Sequence, residues 1–270
     1  MAPQSRTHSY DVTWASRDRP HPAAAGLPWL LLALSLAAQI AYPLVDGARL
    51  HQVTIAVVVL GAATCAVHAL VHRGPAWALG LVVVTAGGGF AAEVVGVHTG
   101  LPFGDYSYRG TLGPELLDVP LVVPLAWTMM AYPVLLAARR LTRRWVVPLG
   151  AYGLLAWDVF LDPQMVGDGH WRWADPEPSF PGVDSIPLTN FAGWLAVGVL
   201  MMLVLTAVLP REGTPPSDES VPATLLAWTW LGYVLGNLFW FGTASVALVG
   251  GVLLGLLVLP YLWSMWQDRA

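Results

Sequence analysis

The sequence predicts an all-α fold, a polytopic integral membrane bundle of seven to eight transmembrane helices, and three observations carry that prediction. Of 270 residues, 56% are apolar and only 11% are charged, roughly half the ~25% charge of a soluble domain. Apolar runs of spanning length recur along the chain. A span takes about 20 residues, so eight would use roughly 160 positions, close to the apolar share. The arginines, finally, gather on alternate connections between the runs.

Taken in order, residues 1–26 read as a disordered cytoplasmic tail holding Arg6, Arg17 and Arg19, ahead of a membrane domain at 27–270. The first run, about 27–45, has no small-residue cleavage pattern after it and reads as a span, not a signal peptide. The next two are about 53–71 and 77–97, separated by Arg73 and Gly74. A Gly-, Pro- and aromatic-rich loop, 98–118, leads to a fourth span at about 119–138, which Arg139, Arg140, Arg143 and Arg144 close. The fifth, about 145–161, precedes a second loop of the same character at 162–187. The sixth is about 188–209, followed by a flexible inner linker from Glu212 to Ser220. The last two runs, about 222–241 and 244–264, form a tight helical hairpin or a single broken element.

Positively charged loops resist translocation, so arginine placement sets orientation. With the N-terminus inside, ten arginines fall on cytoplasmic segments, and only Arg49, Arg109 and Arg172 fall outside. Both termini are therefore expected in the cytoplasm of a multi-pass cell-membrane protein, with both long loops outside. Those outer segments are acidic, and no basic face exists to hold phosphates, so nucleic-acid binding is not expected. Lysine is absent, which removes Schiff-base and retinal-opsin readings. The lone Cys65 excludes an intrachain disulfide and a thiolate metal cage.

A short internal pattern links the two loops. Pro120-Leu121 precedes Trp127 as Pro187-Leu188 precedes Trp194, and each unit follows a span bearing a carboxylate, Glu93 or Asp158. The pattern fits a parallel repeat about an axis along the membrane normal, or a coincidence among abundant Pro, Leu and Trp.

A carboxylate inside a bilayer costs on the order of 3 kcal/mol or more, which makes it a functional candidate by default. Glu93 and Asp158 are the two acids inside confident apolar runs, and Asp162, at i+4 from Asp158, shares its helix face. Gly87-Gly88-Gly89 before Glu93 would admit a helix or ligand closely. The plain alternative for each acid is a packing hydrogen bond or an interfacial position. With His98 and His170 the three acids supply the donors of a mixed metal site. No compact motif supports one, and a polar network orienting the carboxylates is the preferred reading, with no metal expected.

Fourteen tryptophans are the second anomaly. Trp29, Trp77, Trp145, Trp263 and Trp266 sit near span ends and read as interface anchors. Trp127, Trp157, Trp194, Trp228, Trp230 and Trp240 lie inside spans or beside polar groups. They serve either packing or cation stabilisation, since an aromatic face steadies a cation without offering it a base. Acids in such a cavity suit carbocation chemistry on a hydrocarbon.

The stretch Glu93 to Tyr108 (EVVGVHTGLPFGDYSY), Pro124 to Pro133 (PLAWTMMAYP), Asp158 to Val166 (DVFLDPQMV) with Trp171 and Trp173, and Ile186 to Trp194 (IPLTNFAGW) resemble the carotenoid biosynthesis protein family over about 85–200. The resemblance implies a carotenoid 1,2-hydratase, which adds water to the terminal double bond of an acyclic carotenoid. Its implied partners are that substrate, water, the lipid bilayer and other carotenoid-pathway membrane enzymes, and no redox cofactor is needed. The chemistry requires a proton at C2, a tertiary cation at C1 and a water aimed at it. A low-dielectric surrounding disfavours a charged carboxyl in general. On that reasoning Asp158 is the expected proton donor, with Asp162 or Glu93 accepting a proton from the water. Tyr106, Tyr108, His98 and Asn190 would hold the water, and Trp157, Trp127 and Trp194 would line the cation pocket. Two rivals stay open. Asp158 to Asp162 spells the DxxxD spacing of magnesium-diphosphate prenyltransferases, and a non-catalytic carotenoid-binding or transport subunit would share the same composition.

Overall fold

The computed structural model describes residues 22–211 and 218–268. The tail expected at 1–26 and the linker after Glu212 thus lie largely outside the described residues. Within them are eight long helices: α1 (Pro22–Ala41), α2 (Gly47–Arg73), α3 (Pro75–Thr99), α4 (Val123–Leu141), α5 (Val146–Gly167), α6 (Leu188–Val208), α7 (Ser220–Phe239) and α8 (Ala244–Gln267). Helices are what an apolar chain forms in lipid, because every backbone polar group is then satisfied within the segment. Among the described residues, five stretches are long and apolar enough to cross a membrane: Ala24–Leu44, α2, α3, α6 and α8. α4 and α5 carry the longest lists of buried side chains, with residues 127–138 of α4 buried without a break. Protein rather than lipid therefore surrounds them, and their sequence need not be uniformly apolar.

Gly74 separates α2 from α3. Its φ of 92° suits glycine alone, and Pro75 then opens α3 with a preset φ. α3 contains one π turn at Val83–Gly87, where Thr85 bonds Leu81 O and, at 2.7 Å, the Thr128 hydroxyl of α4. The last two runs are separate helices. Trp240 to Thr243 turn the chain, with Trp240 and Phe241 N–H on Gly236 O and Thr243 N–H on Asn237 O.

Two boundaries and one tryptophan differ from expectation. Val119-Pro120 pair with Glu115-Leu116 instead of opening a helix, so α4 begins at Val123. The fifth helix does not stop at residue 161; it runs through Asp162 and Pro163 to Gly167. Asp162 is 3% exposed, and partners from outside its own helix, described below, satisfy it. Trp77, expected as an interface anchor, is buried with Arg73, whose guanidinium lies 5.4 Å from its ring centroid.

The two long loops contain short strands. β1 (Tyr106–Tyr108) pairs antiparallel with β4 (Trp171–Trp173). β2 (Glu115–Leu116) and β3 (Val119–Pro120) form a hairpin whose two central residues, Leu117 and Asp118, both have positive φ. β5 (Ser179–Phe180) and β6 (Val183–Pro187) form another around Pro181-Gly182. Helix, strand, hairpin, helix therefore occurs twice, as α3 to α4 and as α5 to α6. Glu93 and Asp158 are 65 positions apart, and so are Tyr106 and Trp171, and Tyr108 and Trp173. The register pairs Tyr106 with Trp173 and Tyr108 with Trp171, so exchanging the strands maps the ladder onto itself, as a two-fold rotation does. The pairing also brings both long loops to one end of the bundle, the loop end.

Candidate active site

Trp127 of α4 and Trp194 of α6 stack with centroids 4.1 Å apart and planes 13° from parallel. They hold equivalent places in the two units, each following a Pro-Leu pair at the same distance. Trp127 Nε1 ties the pair to Glu93, which stands 65 positions before Asp158.

Glu93 of α3 is met by three neutral donors. Tyr106 and Tyr108 hydroxyls donate to Oε2 at 2.5 and 2.8 Å, and Trp127 Nε1 donates to Oε1 at 3.2 Å. Alternation along β1 sends residues 106 and 108 to the same face, which is how one short strand delivers both phenols. Burial and the neighbouring Glu93 push both phenols above the ordinary tyrosine range, so they act as donors, not as phenolates. Of the three glycines before Glu93, only Gly89 serves a close approach: a Cβ there would lie 2.4 Å from Trp127 Cδ1, whereas nothing lies within 4 Å at Gly87 or Gly88.

Asp158 and Asp162 of α5 project from one helix face toward Asn190, two residues into α6. Asn190 Nδ2 donates to Asp158 Oδ2 at 2.9 Å and also bonds Asp162 Oδ2. One amide nitrogen therefore bridges the two carboxyls. Trp171 Nε1 of β4 donates to Asp162 Oδ1 at 3.2 Å. Asp158 is fully buried, and its Oδ1 has no hydrogen-bond partner among the described residues.

These groups surround a small chamber of about 60 Å³. Glu93, Asp162 and Asn190 contribute to its wall, and Tyr106, Tyr108, Trp127 and Trp194 supply aromatic surface. Asp158 is not on that wall; it stands behind Asp162. Trp157 lies edge-on to Trp194, centroids 5.8 Å apart, and faces a second cavity instead. No arginine lines the chamber, although a bound diphosphate calls for cationic donors.

The histidines do not join the acids. His98 is half exposed, with Nδ1 on Val94 O and Nε2 3.3 Å from Asp118. His170 is buried, with Nδ1 2.7 Å from the Thr111 hydroxyl and Nε2 3.4 Å from Thr54. Burial, then repulsion from His51, pushes its pKa down to about 4. The five donors of the mixed metal set therefore do not gather, and no group of three or more His, Cys, Asp or Glu that could hold a metal occurs among the described residues. Trp29, Trp145, Trp263 and Trp266 are exposed, as interface anchors should be. Sequence reasoning missed Trp171, Trp173 and Phe103 as chamber residues. The first two had a signal, the alternation of Trp171-Arg172-Trp173, which turns both indoles to one face of a strand.

Fold and site together define a helical membrane protein whose two internally repeated units enclose an aromatic, acid-bearing chamber. The chain belongs to the carotenoid biosynthesis protein family, whose model matches residues 53–259. It is similar to the bisanhydrobacterioruberin hydratase of Haloarcula japonica, with 33% identity over 196 residues, 67% of this chain and 60% of that relative. The chain thus spans less than two thirds of the length of the curated relative it matches. No solved structure matches.

Proposed function

We propose that the protein adds water to the terminal C1,2 double bond of an acyclic carotenoid by acid-initiated carbocation chemistry. The observation that carries this reading is the pairing of Asp162 with Asp158, across an aromatic chamber from Glu93, with uncharged partners on all three. Family membership and the hydratase relative support it.

Two buried carboxyls bridged by one amide nitrogen, with no cation on either, favour holding a proton between them. Because Asp162 stands on the wall and Asp158 behind it, the delivering oxygen is assigned to Asp162, and Asp158 secures the shared proton. Proton transfer to C2 breaks the π bond and leaves a tertiary cation at C1. The stacked faces of Trp127 and Trp194 suit such a cation, to which they offer neither nucleophile nor base. Water then attacks C1 and gives up a proton to Glu93, a carboxylate whose partners all donate to it. One alkene and one water become one tertiary alcohol, and no electron changes hands, so no redox cofactor is required. Tyr106, Tyr108 and Asn190 hold the water, while His98 lies outside the chamber and takes no part.

The protein is placed in the cell membrane, its loop end outside and its termini cytoplasmic. The arginine asymmetry favours that orientation, and the β1 to β4 pairing is consistent with both loops on one side. The test is expression in a lycopene-producing bacterium followed by pigment mass analysis. Each modified end should gain the mass of one water. Unchanged pigment in several acyclic backgrounds would overturn the proposal.

A further inference from the structure

A second cavity, about 310 Å³, adjoins the acid chamber and shares Thr54, Val58, Ala126, Leu161 and Met165 with it. It is about five times the volume of that chamber and falls within the ~300–1,000 Å³ of small-molecule sites. Trp157, Trp228 and Tyr233 supply flat aromatic surface on its walls. Its lining includes the end of α1 and the last turns of α7, where Ile40, Leu44, Leu235 and Trp240 are 53%, 71%, 40% and 56% exposed. In a membrane protein such residues meet acyl chains, so this side of the cavity faces the hydrocarbon of the bilayer. Gly232 on α7 leaves room: the nearest atom to an added Cβ is 3.6 Å away and belongs to Trp228 of the same helix.

We propose that this cavity receives the conjugated polyene of the substrate, which enters sideways from the bilayer between α1 and α7 and passes Thr54 and Ala126 to place its end among the carboxyls. The inference rests on the hydratase reading and adds the subsite that selects a long, rigid, apolar chain. An acyl chain of a lipid could fill the same space, but continuity with the acid chamber and the flat aromatic walls favour a polyene whose end must reach Asp162.

The test uses the full-length protein in lipid, with two substrates sharing a trisubstituted terminal alkene: an acyclic carotenoid, and a short acyclic isoprenoid that fills only the acid chamber. Gly232→Phe on α7 and Val57→Phe on α2, both in the cavity lining, are compared with wild type. Each should lower the ratio of kcat/KM for long over short substrate by about tenfold, the size expected when an apolar subsite is lost. Each should also weaken the induced circular dichroism of bound polyene. An unchanged ratio with unchanged polyene dichroism in both variants would overturn the cavity assignment, as would an equal loss on both substrates. If wild type hydrates neither substrate yet binds the polyene, and both variants lose that binding, the hydratase reading fails while the cavity assignment stands.

Discussion

Glu93, Asp158 and Asp162 each meet a different set of partners, and those sets decide what each can do. Replacing Asp162 or Asp158 by Asn keeps size and hydrogen bonding but removes the transferable proton. Each variant should lose hydration by a factor on the order of a hundred or more. Asp158→Glu retains the acid with one more methylene and should keep partial activity. A fully active Asp158→Asn that folds and binds carotenoid would remove the pair from the mechanism. His170 offers a separate check on the loop end. Its folded pKa, about 4, lies below the ordinary histidine value of 6.5. Between those values the unfolded chain binds the extra proton, so stability is complete above about pH 6.5 and falls as pH drops toward 4. Thermal midpoints between pH 7.5 and 4.5 should show that loss in wild type and a flatter profile in His170→Asn. Identical profiles would place the titration elsewhere.

The contact between α3 and α4 depends on Gly89. A Cβ there meets the Trp127 ring at 2.4 Å, so Gly89→Val should displace the ring from both Trp194 and Glu93. Overpacking of this kind costs about 1–3 kcal/mol, and hydration should fall with stability, while Gly88→Ala, with open space around it, should change neither. A Gly89→Val as stable and active as wild type would show that the stacked pair is dispensable. The helices were legible in the sequence because an apolar run of spanning length has few other meanings. Strands of two to five residues were not, since so short an alternation also occurs in loops. The end of α5 was misplaced for a related reason: Asp162 looks like a terminus locally, and only Asn190, distant in sequence, and Trp171, in the strand that follows, make its burial tolerable. Glu93, Asp158, Tyr106, Tyr108 and Asn190 were legible as candidates because a polar group is costly in an apolar run or sits in an unusual loop. The position of His98 was not, because the turn after α3 carries it toward Asp118 rather than toward the acids.

Across the whole molecule, two units of the same helix–strand–hairpin–helix order are joined by the β1 to β4 ladder, and the proposed site lies where they meet. The two units differ in what they bring: Glu93 with two phenols in one, a carboxyl pair with an amide in the other. Their loops share one end, so a single topology experiment orients the site. Cysteines placed at Ser107 and Ser179, in a Cys65→Ala background, should react with an impermeant thiol reagent on intact cells. Labelling only after lysis would turn the loop end to the cytoplasm. The central claim is that the chamber adds water, proton first, to an alkene. It is tested most directly by incubating the purified protein in lipid with an acyclic carotenoid in oxygen-18 water or in deuterium oxide. The account predicts one labelled oxygen at C1 and one deuterium at C2 for each modified end, with neither label incorporated by Asp162→Asn. An oxygen drawn from dioxygen, or a wild-type protein that leaves the carotenoid unlabelled, would contradict it.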